Sequence, residues 1–279
     1  LFLHGTSDSW RSFENVLPEL PDWMRAIAVT QRGHGDADRP ATGYRTQDFA
    51  DDVAALMDVL GIDRAVIVGH SMGGSIAQRF AIDHPARMLG LVLIGARASW
   101  HRDPGVLALG EAVATLSDPV DPDFVREFQL STLAQPVSPA YLDAVVAESL
   151  KLPAHVWRAA FAECVFQADH TAELGRIAAP TLLMCGGRDD FARDEQDTLV
   201  TAIPGASQLI YPDAGHALHW EEPQRFAADL AAFVRRARGL PRSSACAAGS
   251  SAESARAGIP SGRRVHGGPS GRCTRHSSA

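Results

Sequence analysis

Two hydrophobic periods alternate along most of this chain. Short apolar runs such as Ala65 to Val68, Leu89 to Ile94 and Thr181 to Cys185 read as buried strands. Between them lie stretches whose apolar residues recur every three or four positions, as in a helix with one buried face. The chain opens on Leu1-Phe2-Leu3, which runs into His4-Gly5-Thr6, and a helix-like segment follows over about Trp10 to Leu20. A strand is predicted at Ala26 to Thr30, then a loop, Gln31 to Asp36, with glycines on either side of His34. Phe49, Val53, Leu56, Met57 and Leu60 mark one face of a helix from about Thr46 to Leu60, ended by Gly61. After the strand at Ala65, a helix-like run begins at Ser75 and stops before Pro85. Later come a helix over Arg193 to Ala202, a strand at Gln208 to Tyr211 and a last helix from Pro223 to about Arg238. Strands alternating with helical crossovers predict an α/β fold, a mostly parallel sheet of about six strands covered by helices on both faces.

The alternation breaks once. From Arg97 to about Ala179 no strand is evident, and helix-period segments are punctuated by Pro104, Pro119, Pro122, Pro136, Pro139 and Pro153. A helical insertion after the strand ending near Ile94 would stand over the carboxyl edge of the sheet, where open α/β folds bind ligands. We therefore expect a core made of residues 1–96 and 180–239 and a helical cap at 97–179. The cap aromatics Phe124, Phe128, Tyr141, Trp157, Phe161 and Phe166 are expected mainly in its own core.

Composition changes the picture at the carboxyl end. Residues 240–279 hold nine serines, six glycines and six arginines against one acid, too few large apolar groups to bury a core, so a disordered tail is expected. The whole chain carries a net charge of −7, which gives no nucleic-acid footprint. No apolar run approaches the roughly 18 residues of a membrane span, and a soluble, cytoplasmic protein is expected. Cys164, Cys185, Cys246 and Cys273 show no metal-ligand or redox spacing; Cys164 and Cys185, in apolar contexts, read as buried thiols. Neither a metal nor a cofactor is implied.

The candidate chemistry centres on Val66 to Gly74, VIVGHSMGG. A serine raised on a sharp turn between strand and helix needs residues without side chains two positions before and after it, because the two segments pass close together. Such a turn lifts the Ser71 hydroxyl above the sheet edge and aims the first helical N–H groups at the same point. Serine is a poor nucleophile at neutral pH and needs a base, itself oriented by an acid. Asp189 follows the strand Thr181 to Cys185 by a Gly-Gly-Arg turn, and His216 follows the next strand through a loop containing Gly215. Asp190 is the alternative acid. His219 is expected to pack or cap, and His4 and His34, in glycine turns, to serve as structural hydrogen-bonding groups.

The segments LFLHG, QRGHGDAD, VIVGHSMGG, IAQRFAIDHPARMLGLVLIG, TLLMCGGRDDF and DAGHALHWEEP, in that order, resemble the α/β-hydrolase fold superfamily from the first residue to about Arg238. The resemblance implies Ser71 as nucleophile, His216 as general base and then acid, and Asp189 as its orienting carboxylate. It also implies an oxyanion hole made by the backbone N–H groups of Thr6 and Met72. Some relatives carry the acid one strand earlier, where this chain reads GARASW without a carboxylate, which favours Asp189. Relatives that open epoxides or displace halide use aspartate in place of the elbow serine, so Ser71 points to acyl transfer. Members of the family usually have two strands before the one that starts at Leu1, and their lack exposes a sheet edge prone to self-pairing. With the unusual tail, this suggests an incomplete reading frame.

The leading expectation is a serine hydrolase of small, fairly apolar carboxylic esters or lactones. Small esterases, enol-lactonases, carbon–carbon bond hydrolases and cofactor-free haloperoxidases share these motifs, and a small-molecule receptor of the same fold is the alternative from another class. The implied partner is a small-molecule ester or lactone, with no nucleic acid and no membrane; oligomeric state has no signature in the chain.

Overall fold

A computed structural model describes residues 1–240 with the exception of Arg102; the expected tail from Pro241 onward lies outside the described residues. Six parallel strands form one sheet in the order β2-β1-β3-β4-β5-β6. They are β1 (Phe2–Leu3), β2 (Ala28–Val29), β3 (Ala65–His70), β4 (Met88–Ile94), β5 (Thr181–Gly186) and β6 (Ser207–Tyr211). Nine α-helices occur among the described residues: α1 (Thr46–Val59), α2 (Met72–Asp83), α3 (Pro104–Ala114), α4 (Pro122–Ser131), α5 (Pro139–Ser149), α6 (Ala154–Ala159), α7 (Gln196–Ala202), α8 (Leu218–Glu221) and α9 (Pro223–Ala237).

The central strands are apolar on both sides because both faces are covered. Ile67 on β3, Leu91 and Leu93 on β4 and Leu183 on β5 pack with Phe49, Met57, Ile76 and Phe80 of α1 and α2. Their neighbours in sequence, Val68, Val92, Ile94, Leu182 and Met184, point the other way and pack with Phe226, Leu230 and Phe233 of α9. The period of two along each strand thus divides one apolar run between two cores. Each fully buried side chain of this size contributes about 1.5–3 kcal/mol.

The helix expected over Trp10 to Leu20 is instead two 3₁₀ turns, Trp10–Phe13 and Leu17–Glu19. Pro18 lacks an N–H and disfavours a helical conformation at Leu17, so one continuous α-helix does not form. The helix after β3 begins at Met72, three residues before Ser75. The prolines of the segment between β4 and β5 mark helix starts: Pro104, Pro122 and Pro139 occupy the first turns of α3, α4 and α5, where a missing N–H costs nothing. Asp103 and Asp121 cap the first two, accepting from the amides of Val106 and Asp123. After α6 the chain widens into a π-helical turn, Ala160–Val165.

The two ends of this helical segment are joined to each other, and the first is tied to α2. Ser99 and Asp169 form an antiparallel bridge, Trp100 Nε1 donates to Ser75 Oγ at 3.0 Å, and the Gln78 carboxamide donates to the Arg97 carbonyl at 2.9 Å. Arg97, 4% exposed, donates to the Phe191 carbonyl and to Asp194. Cys164 and Cys185 are buried free thiols, while Cys246 and Cys273 lie outside the described residues. Among the described residues no helix is long and apolar enough to cross a membrane.

Candidate active site

The carboxyl ends of the strands converge on one edge of the sheet. Ser71, immediately after β3, has φ 52° and ψ −116°, a conformation that costs a residue with a side chain on the order of 1–3 kcal/mol. The flanking glycines show why the turn is possible. A methyl on Gly69 would stand 2.2 Å from the Gly73 carbonyl oxygen, and one on Gly73 would stand 2.3 Å from that of Leu3 on the neighbouring strand. Met72 begins α2, so its amide is among those that a helix leaves without an internal partner.

His216 and Asp189 meet from the ends of β6 and β5. His216 Nδ1 lies 3.0 Å from each carboxylate oxygen of Asp189, and both residues are buried. Asp189 Oδ1 also accepts from the amides of Phe191 and Ala192 at 2.9 and 3.0 Å. Burial alone would raise the Asp189 carboxyl, but His216 beside it and the two amides outweigh that effect and hold it below the usual carboxylate range. The Nδ1–H tautomer of His216 follows from this contact and leaves Nε2 with its lone pair. Among the described residues no hydrogen bond joins His216 to the Ser71 hydroxyl, a contact that in resting enzymes often closes only with substrate.

Ser71, His216 and Thr6 line a single pocket. Its other walls are mostly apolar, among them Trp100, Val106, Phe128, Phe161, Val165 and Phe191. Phe161 and Val165 both come from the π turn, and Phe128 comes from α4. Two of the six aromatics expected in the core of the helical segment therefore face the pocket, and Phe124 and Phe128 pack edge-on against the fully buried Trp157. The cavity volume is about 40 Å³, room for no more than a few waters.

His4, His34 and His219 are fully buried in contacts of their own. His4 Nδ1 donates to the Gly5 carbonyl and its Nε2 accepts from the Gln31 amide, locking the turn after β1 to the loop after β2. His34 Nδ1 contacts the Arg32 carbonyl at 2.8 Å. His219 is buried, contacts Ser12 Oγ at 3.1 Å and stacks on Phe13. Asp190 is exposed, whereas Asp189 makes the contact with His216. Among the described residues no group of three or more His, Cys, Asp and Glu side chains is arranged to hold a metal ion.

The sequence model of the alpha/beta hydrolase fold family matches residues 1–223. The chain belongs to this family. The AB hydrolase superfamily protein YisY of Bacillus subtilis is 30% identical over 251 residues, covering 84% of this chain and 90% of that protein. An esterase from Exiguobacterium antarcticum superposes with a TM-score of 0.75 at 25% identity, covering 84% of this chain and 90% of that one. Est816, described as an N-acyl homoserine lactone degrading enzyme, superposes with a TM-score of 0.64 at 29% identity over 83% of this chain and 91% of its own. As an alpha/beta hydrolase with esterase neighbours, the chain is supported as a hydrolase.

Three features in or beside the pocket were not among the sequence-based expectations. Gly95, after β4, has φ +49°, and a methyl there would stand 2.8 Å from His216 Nδ1 and 3.0 Å from Asp189 Oδ2. Gln129 on α4 and Asp8, two residues past Thr6, bring polar groups into an otherwise apolar wall. Gly95 was visible as a glycine at a strand end; Gln129 and Asp8 gave no signal, because nothing local says that a loop and a distant helix will meet.

Proposed function

We propose that this hydrolase cleaves carboxylic esters or lactones of small, fairly apolar substrates through an acyl-enzyme on Ser71. The observation that carries the reading is the buried His216–Asp189 pair, held at 3.0 Å beside a serine on a strained elbow, in one apolar pocket. In the first half-reaction His216 Nε2 takes the Ser71 proton as Oγ attacks the acyl carbon. The resulting oxyanion is met by the amides of Thr6 and Met72, preorganised donors that need no reorientation. Imidazolium then protonates the departing alkoxide; for a lactone that alkoxide stays tethered to the acyl group. Water, deprotonated by the same nitrogen, attacks the acyl carbon, and the imidazolium so formed gives its proton to Ser71 Oγ as the acyl–oxygen bond breaks and the acid leaves. Asp189 stabilises the imidazolium without itself taking the proton. The helices between β4 and β5 act in this reading as a cap that excludes water.

The test is labelling of the purified protein by a fluorophosphonate, read by intact mass, with Ser71→Ala as control. A single adduct that Ser71→Ala lacks, with an unchanged circular-dichroism spectrum, is expected. A folded protein that takes no label, or that labels equally in the variant, would refute the assignment.

A further inference from the structure

Asp8 is a second carboxyl in the pocket wall, and the reaction above does not use it. It is 3% exposed and has neither lysine nor arginine among its partners within the described residues. Gln129 Nε2 donates to its Oδ1 at 3.1 Å and Ser12 Oγ faces its Oδ2 at 3.3 Å. Around it stand His70 at the end of β3, His216 from the loop after β6, Tyr141 from α5, and His219 of α8, reached through Ser12. From α4 it meets only the Gln129 carboxamide.

The contacts of His70 fix its tautomer. His70 Nε2 lies 3.3 Å from the His216 carbonyl oxygen, which only accepts, so this nitrogen carries the hydrogen of the neutral ring. Its Nδ1 is then a bare lone pair; it is buried, has no hydrogen-bond partner, and faces Asp8 Oδ2 at 3.9 Å. An ionised Asp8 would set negative oxygen against that lone pair. A protonated Asp8 removes that repulsion and can turn its O–H toward the lone pair, with 3.9 Å between the heavy atoms, a step longer than a direct hydrogen bond.

We propose that Asp8 is a positioning residue that works as an uncharged acid, its proton directed at His70 Nδ1, and so steadies the His70 contact with the backbone of His216 while keeping negative charge out of the pocket. This inference rests on the reading of Ser71 and His216 as the acyl-transfer pair. Burial supports it, pushing the Asp8 carboxyl up to about 7 against the hydrogen bonds from Gln129, Ser12 and Gly5 and the field of His216. Burial likewise holds His70 well below the ordinary imidazole range, with His219 and His216 adding to it. When Asp8 ionises, the new charge sits in the low-dielectric pocket where the oxyanion develops, and it opposes any acyl group that is itself anionic.

The experiment compares two activated esters, one with a neutral acyl chain and one ending in a permanently charged sulfonate, from pH 6 to 9. Any ionisation that both substrates require equally cancels in the ratio of their kcat/KM values, which isolates a charge that acts on one of them. The ratio is expected to swing toward the neutral ester by about tenfold across neutrality in the parent protein and to stay flat in Asp8→Asn, whose carboxamide offers a permanent donor to His70. A structural role alone would lower both rates without moving the ratio. A flat ratio in the parent, or the same swing in Asp8→Asn, overturns the proposal. If neither ester turns over and no fluorophosphonate adduct forms, the acyl-transfer reading fails by itself. Carbon-13 titration of the aspartate carboxyls, with Asp8 assigned by its loss in Asp8→Asn, then decides the remainder: a midpoint in the ordinary carboxylate range overturns the uncharged acid, and one near neutrality sustains it.

Discussion

At the scale of single residues, the site depends as much on atoms that are missing as on those present. Gly69 and Gly73 let the elbow close, and Gly95 leaves the space that the His216 and Asp189 side chains fill. Gly95→Ala would place a methyl within 3.0 Å of both partners on a backbone with positive φ, which alone costs about 1–2 kcal/mol. The expected outcome is a lower melting temperature and a labelling rate at Ser71 reduced by at least about tenfold, since a small misplacement of catalytic groups can cost up to about 100-fold. Rate and stability measured on the same preparation check this; parent-like values would show that the pair does not need the space. The imidazole–carboxylate partnership was legible in the sequence because each member follows a strand, and strand ends share one edge. Asp8 was not, because a single acid in a loop carries no period, and its meaning comes from Gln129, 121 residues away.

At the scale of elements, the helices between β4 and β5 hang from a neck whose anchors differ in worth. Arg97 is buried, while its closest carboxylate partner, Asp194, has a side chain 68% exposed. Solvent already screens Asp194, so Asp194→Asn should change stability by less than about 1 kcal/mol. Arg97→Leu strands the Phe191 carbonyl, which accepts from it at 2.7 Å, and should cost roughly 1–3 kcal/mol. It should also disturb Phe191, which tilts against the His216 ring at 5.0 Å. Urea denaturation of the two variants checks the order, and equal losses would contradict it. The alternation of strands and helices was readable because period two and period 3.6 are distinct. The segment from Trp10 to Leu20 was not, since its apolar spacing suits a helix while Pro18 forbids a continuous one. The π turn left no trace either, because its extra residue per turn is a response to packing.

At the scale of the whole molecule, an unusual number of imidazoles is buried uncharged. Burial lowers His4 and His70 well below the ordinary range, His34 to about 4 and His219 to about 3. The unfolded chain takes up these protons near pH 6.5 and the native protein does not. Their contribution to stability is therefore complete above that pH and is lost as pH falls toward the native values. Asp8 has the opposite sign, favouring the native state at low pH and less so as pH rises toward about 7. His170 is lowered by burial as well, so five imidazoles oppose one carboxyl, and each net proton is worth about 1.4 kcal/mol per pH unit at the steepest point, large together beside a total stability of about 5–15 kcal/mol. Cooperative acid unfolding between about pH 6 and 4 is expected by circular dichroism; an unchanged melting temperature at pH 4 would contradict it. A last consequence belongs to the chamber of about 40 Å³ beside Ser71. Phe128 of α4 and Phe161 of the π turn both line it, so the width of this space is set by the helical segment and not by the sheet that carries Ser71. A ranking of substrates by size would then report on the packing of α4 and the π turn, and substitutions there would shift that ranking while leaving the elbow untouched.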